Sequence, residues 1–187
     1  MTDEASDTFK ACLQKVLEWE GGYSNHVRDP ATKWGITRST LSHWRNGEVS
    51  LEDVQTLTLS EARSIYKAQY WDLVQGGTLP PPLALLLFDS AVQLGPRHAV
   101  RMLQQGLDTT VDGLMGPATR AALSSGTFET VLRDLAARRA LLYARSDKRD
   151  AFGLGWYRRL LDIHATAAWW HRQQGVNPDG YDPGIPA

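Results

Sequence analysis

The sequence lacks most of what would tie a small secreted scaffold or a metal site together. Of its 187 residues only Cys12 is a cysteine, so no intrachain disulfide can form. Cys12 lies at the edge of an apolar helical face and reads as a small buried hydrophobe. The five histidines are scattered and no cysteine pair exists, which excludes the usual zinc spacings. No metal and no nucleotide or other cofactor is expected. Long hydrophobic runs are missing too. The longest, Leu83 to Phe88, is far too short to span a bilayer, so no membrane insertion is expected. Neither sign of charge dominates: 20 basic and 21 acidic side chains leave a net charge of −1, which does not point to nucleic acid or a membrane surface. The first seven residues are acidic and carry no apolar core of a secretory signal, so synthesis in a reducing cytoplasm is expected.

What is present is helical periodicity. The length suits one generous domain or two small ones. Apolar spacing predicts helices over about 7–20, 37–45, 59–71, 82–94, 96–107, 117–124, 127–146 and 154–174. Ser60 ahead of Glu61 reads as a helix start, and Pro82, Pro96 and Pro117 suit first turns. The stretch 21–36, rich in Gly, Asn, Asp and Pro, predicts a loop or small hairpin lip. Residues 176–187 read as a poorly ordered tail. The fold class is therefore all-α.

Glu20 stands out. At 100° per residue, Phe9, Cys12, Leu13, Val16 and Leu17 share one arc, and Glu20 falls inside it between Phe9 and Leu13. Glu18 falls on the opposite side. A carboxylate on a buried stripe is costly when ionised, so Glu20 is expected to keep its proton, as a general acid must. Asp29, on the polar loop, is suited to stay ionised. Two carboxyls in opposite environments fit the acid and base of glycoside hydrolysis. Asp29 also precedes Pro30 and reads equally as a turn residue.

Asp89 sits in the middle of the apolar segment 83–94 and needs a partner or a wet cavity; Arg97 and Arg101 are candidates. It reads either as a structural ion pair or as the floor of a cleft. Between residues 131 and 160, eight basic side chains face three acidic ones. They form either an attractive surface for an anionic polymer or an ordinary solvated face. Tyr23, Trp34, Tyr70 and Trp71 are candidates for sugar stacking, against the alternative of core packing. In Asp112-Gly113-Leu114-Met115-Gly116-Pro117, the glycines allow positive φ and Asp112 can accept from free backbone N–H groups.

Glu20-Gly21-Gly22-Tyr23-Ser24-Asn25, followed by Asp29-Pro30-Ala31-Thr32-Lys33-Trp34-Gly35-Ile36-Thr37, resembles the signature of glycoside hydrolase family 108. Gln69-Tyr70-Trp71-Asp72 and Leu87-Phe88-Asp89-Ser90-Ala91-Val92-Gln93-Leu94-Gly95 continue the likeness. Residues 103–107 and 112–119 resemble the peptidoglycan-binding segment that follows the catalytic region in that family. The resemblance implies a lysozyme-like fold, with a catalytic muramidase region over 8–95 and a helical binding segment over 96–175. It implies cleavage of the β-1,4 bond between N-acetylmuramic acid and N-acetylglucosamine. Glu20 would be the acid and Asp29 the second group. Tyr23, Thr32, Trp34, Thr37, Tyr70, Trp71, Asp89 and Gln93 would contact substrate. The spacing Glu20-x8-Asp29 is similar to that of T-even phage lysozymes, although Gly35 stands where their threonine stands, flanked by Thr32 and Thr37. The loop is shorter than the family's by two glycines, and Gln93 replaces a common Asn. A monomer acting on peptidoglycan strands is implied, released to the wall by a holin or a secretion system. Lytic transglycosylase and non-catalytic wall binding are the alternatives.

Overall fold

The computed structural model describes residues 2–24, 31–125 and 127–174. The all-α expectation holds, and the small lip forms a three-stranded antiparallel sheet. Helix α1 (Thr2–Glu20) leads into β1 (Tyr23–Ser24), β2 (Thr32–Lys33) and β3 (Ile36–Thr37). Thr32 pairs with Ser24 on one side and Thr37 on the other. Helices α2 (Arg38–Arg45), α3 (Leu51–Thr56) and α4 (Leu59–Tyr66) follow. A π-helical turn (Lys67–Trp71) and a short 3-10 turn (Gly76–Thr78) lead to α5 (Pro81–Leu94). The remaining helices are α6 (Pro96–Gly106), α7 (Pro117–Ser125), α8 (Phe128–Arg145) and α9 (Arg149–Gln174). The 176–187 tail lies outside the described residues.

Helix α5 is the axis. Every residue from Pro82 to Ala91 is buried, as its all-round apolar character requires. Helices α1, α6, α8 and α9 pack around it, and a single apolar core runs from Phe9 on α1 to Ala167 on α9. The segment after residue 95 therefore shares its core with the first 95 residues.

The helices differ from the sequence reading at several points, α1 among them, which begins at Thr2 rather than 7. Helix α3 was not expected; it starts from a capping box in which Ser50 Oγ accepts from the Asp53 N–H and Asp53 accepts from the Ser50 N–H. Helix α4 is capped by Thr58, whose hydroxyl accepts from Glu61 N–H at 3.2 Å, so Ser60 lies inside the first turn. Helix α9 begins at Arg149 rather than 154 and carries Gly153 and Gly155 through its first turns. Packing against α5 and α8 outweighs a glycine penalty of about 1 kcal/mol each.

Candidate active site

Helix α1 ends on Glu20, where Gly21 adopts φ +70° and turns the chain away. The apolar stripe predicted for α1 is present: Phe9, Cys12, Leu13 and Val16 are buried. Glu20 sits at its open end, with its side chain 18% exposed. The stripe does not leave this carboxyl in purely apolar surroundings. Arg159 of α9 places Nη1 2.7 Å from Glu20 Oε1. The same guanidinium reaches Asp89 Oδ1 with Nε at 2.9 Å and Nη2 at 2.7 Å. On the far side of Asp89, Arg139 Nη1 lies 2.6 Å from Oδ2. Arg139 also donates through Nη2 to Gln93 Oε1 at 2.7 Å and through Nη1 to Ser90 Oγ at 3.2 Å. Tyr143 Oη donates to Gln93 Oε1. Acid and base thus alternate from the cleft inward: Glu20, Arg159, Asp89, Arg139.

This arrangement corrects the expected partners of Asp89. They are Arg139 and Arg159, not Arg97 or Arg101. Asp89 is fully buried with both oxygens facing guanidinium groups, so it underlies the site and does not line it. Gln93 is half-buried, and its carbonyl oxygen is occupied by Arg139 and Tyr143. The basic stretch is also not uniformly a surface. Arg139 is 0% exposed and Arg159 5%, whereas Arg133, Arg145, Lys148, Arg149 and Arg158 are exposed. Burial would lower the proton affinity of Arg159, but the carboxylates of Asp89 and Glu20 outweigh it and raise it above the ordinary arginine value.

The lip covers the other side of Glu20. Trp34 and Gly35 form the two central residues of the β2–β3 turn, with φ +49° and +71°, the left-handed pair a tight hairpin needs. Gly35 lies directly against Glu20 Oε2; a Cβ there would collide with that oxygen and would stand 2.9 Å from Tyr66 Oη. A tryptophan at positive φ is uncommon and costs about 1–2 kcal/mol. Tyr66 Oη donates to Trp34 O at 2.7 Å, and Lys33 Nζ stands 4.7 Å from the indole centre, which hold the turn. The Tyr66 hydroxyl is kept protonated by burial and, secondarily, by the Glu20 charge. Tyr70, half-buried on the π-helical turn, tilts against Tyr66 at 5.6 Å; burial and then the Glu20 charge raise its pKa as well.

The other predicted contacts separate. Trp71 is 3% exposed and packs between Phe9 and Phe88, at 5.3 and 5.4 Å, so it belongs to the core and not to a sugar subsite. Gly76 sits so close to its indole that no side chain fits there. Thr37 caps α2, accepting from Thr40 N–H at 3.1 Å, and is half-buried beside Thr32. Tyr23 is on β1, but its side chain, like Asp29 as a whole, lies outside the described residues.

A family model for glycosyl hydrolase 108 matches residues 13–95. The solved structure of SagA from Brucella abortus is 34% identical and superposes with a TM-score of 0.83, over 89% of this chain and 97% of SagA. The chain belongs to glycosyl hydrolase family 108. No curated protein matches it. The family match ends at Gly95, so it contains Glu20, Asp89 and Gln93 but neither arginine of the buried chain. Those two come from α8 and α9. A signal for both existed in the sequence. Arg139 falls on the buried face of α8 with Leu132, Leu135 and Tyr143, and Arg159 on that of α9 with Leu160, Ile163 and Ala167. Among the described residues no cluster of three or more His, Cys, Asp or Glu side chains is arranged to hold a metal.

Proposed function

We propose that this glycoside hydrolase cleaves the β-1,4 bond between N-acetylmuramic acid and N-acetylglucosamine in peptidoglycan. The observation that carries the reading is Glu20: a partly open carboxyl at the end of α1, beneath a strained turn, in the region matching the family. Glu20 protonates the leaving glycosidic oxygen as the sugar acquires oxocarbenium character. Asp29 is the second carboxylate and activates the attacking water. Inversion requires the two carboxyls to stand about 6.5–9.5 Å apart, and retention about 5 Å. Inversion is favoured by the likeness of the Glu20-x8-Asp29 spacing to the T-even phage enzymes. Tyr70, close enough to Glu20 to feel its charge, and Trp34, next to Gly35 in the turn, supply ring faces to the sugar. Release to the wall is through a holin or a secretion system.

The test is turbidity clearing of purified cell walls. Glu20→Gln keeps the side chain's shape and removes the transferable proton, so clearing falls by about 10²–10⁴-fold while sedimentation with the walls persists. A variant that still clears walls removes Glu20 as the acid. Mass spectrometry of the products should show reducing-end muramic acid. Anhydro-muramic ends would replace hydrolysis by transglycosylation, and a wild-type chain that binds walls without ever clearing them would leave a binding protein.

A further inference from the structure

We infer that Arg159 is a positioning residue that fixes which oxygen of Glu20 carries the catalytic proton, and that this oxygen is Oε2. The inference rests on Glu20 being the acid. The two carboxyl oxygens have different neighbours. Oε1 faces Arg159 Nη1 at 2.7 Å. A guanidinium has only N–H donors, so the oxygen it faces must accept and cannot present a hydrogen in that direction. Among the described residues no guanidinium faces Oε2; it lies against Gly35, in a notch a Cβ would fill and which Tyr66 Oη also borders, the Tyr66 hydrogen going to Trp34 O. When Glu20 is protonated, the hydrogen therefore sits on Oε2, beside Gly35 of the lip.

Arg159 can impose this only if it is itself held. Its Nε donates to Asp89 Oδ1, with Nη2 in ion-pair contact with the same oxygen, and Asp89 Oδ2 is ion-paired with Arg139 Nη1. Arg139 is anchored in turn by Ser90, Gln93 and Tyr143. The planar fork of arginine spans two carboxylates at once, with two nitrogens inward and one outward. A lysine ammonium at this position can satisfy Asp89 or Glu20 but not both in the same geometry. In the reaction the Oε2–H bond breaks and the proton passes to the glycosidic oxygen. The electron pair of the C1–O bond moves to that oxygen, and Glu20 is left as a carboxylate still paired to Arg159. Water protonates it again before the next turnover.

The experiment compares wild type, Arg159→Lys and Arg159→Gln on purified walls, with kcat expressed per folded molecule by circular dichroism and the assay run at reduced temperature. Both variants should lose about 10–100-fold in kcat with KM within about two-fold, because glycan still binds but the acid is misaligned. Arg159→Ala should regain part of its kcat with added methylguanidinium. A merely structural arginine would lower the folded fraction and leave kcat per folded molecule unchanged. If Arg159→Lys keeps kcat within about three-fold while Glu20→Gln is inactive, the positioning role is overturned and the acid assignment stands. If Glu20→Gln remains active, it is the acid assignment that falls.

Discussion

Two buried polar networks stabilise this helical domain, and they are built in opposite ways. The first is charged and long-range: Glu20, Arg159, Asp89 and Arg139 come from α1, α9, α5 and α8. The second is built around a neutral amide, with one exposed carboxylate at its edge, and is mostly local. Gln104, 1% exposed on α6, donates through Nε2 to Asp112 Oδ1 at 2.7 Å and to Leu114 O and Thr119 Oγ1 at 3.0 Å. Its Oε1 accepts from Gly113 N–H at 2.8 Å. Asp112 closes the loop by accepting from Leu114 N–H, as expected for that turn. The local network shapes one loop and the start of α7. The charged network holds four helices in register around a reacting carboxyl. A loop can be organised by one amide, whereas fixing a carboxyl between distant helices takes rigid, opposite charges that have no alternative partners.

That contrast predicts unequal costs. Arg139→Met should be the most destabilising change. It removes the ion-pair partner of Asp89 Oδ2 and three hydrogen bonds, leaving a fully buried carboxylate held from one side only. Removing one member of a buried ion pair costs about 3–5 kcal/mol, which urea denaturation would read as a lower midpoint at unchanged slope. A loss below about 1 kcal/mol would mean that the chain of charges contributes little to the fold and that the contrast is wrong.

Gln104→Leu should cost less, about 1–3 kcal/mol, since the buried groups it leaves without partners are neutral and the one charge among them, Asp112, is exposed to water. Its effect should also stay local. Amide exchange at Gly113 and Leu114 should rise steeply, with the protection of α5 and α9 amides unchanged. Faster exchange spreading into α9 would show that the neutral network, too, spans the domain, and would remove the distinction between the two.

The same contrast separates what was legible in the sequence from what was not. The Asp112 turn could be read because its partners lie within a dozen residues and its geometry follows from Gly113 and Pro117. Glu20 could be read because one helical face displays the conflict between a carboxyl and its apolar neighbours. The partner of Glu20 is 139 positions away in sequence, and no local pattern pairs position 20 with 159. Even so, Arg139 and Arg159 break the apolar faces of their own helices just as Glu20 breaks that of α1. Reading the segment 131–160 by charge count rather than by face hid them among solvated neighbours. Trp71 was misplaced for the opposite reason: an aromatic beside a motif looks the same whether it lines a cleft or fills a core, and only its contacts with Phe9 and Phe88 decide. Helix α3 was overlooked although Ser50-x-x-Asp53 announces it, because six residues are too few to show a period.

The smallest predicted effect concerns His164 on α9, a half-buried titratable group that belongs to neither network. It lines a shallow cavity with Glu129, Leu132, Arg133, Ala168, His171 and Arg172, and burial lowers its proton affinity below the ordinary histidine value of 6.5. The unfolded chain therefore binds a proton at a pH where the folded chain does not. Stability from this residue is complete above about pH 6.5 and declines as pH falls toward the folded value. The carboxylates of Asp53, held low by bonds from Ser50 and Arg45, and of Glu61, held low by Arg45, lose their contribution only in more acid solution, below about pH 4.5, so the His164 limb opens first as pH falls. His164→Gln should flatten the fall in Tm between pH 7 and pH 5 and leave the steeper acid limb in place. The change should be slight, since solvent screens a half-exposed ring. An unchanged slope between pH 7 and 5 would assign that pH dependence to other groups.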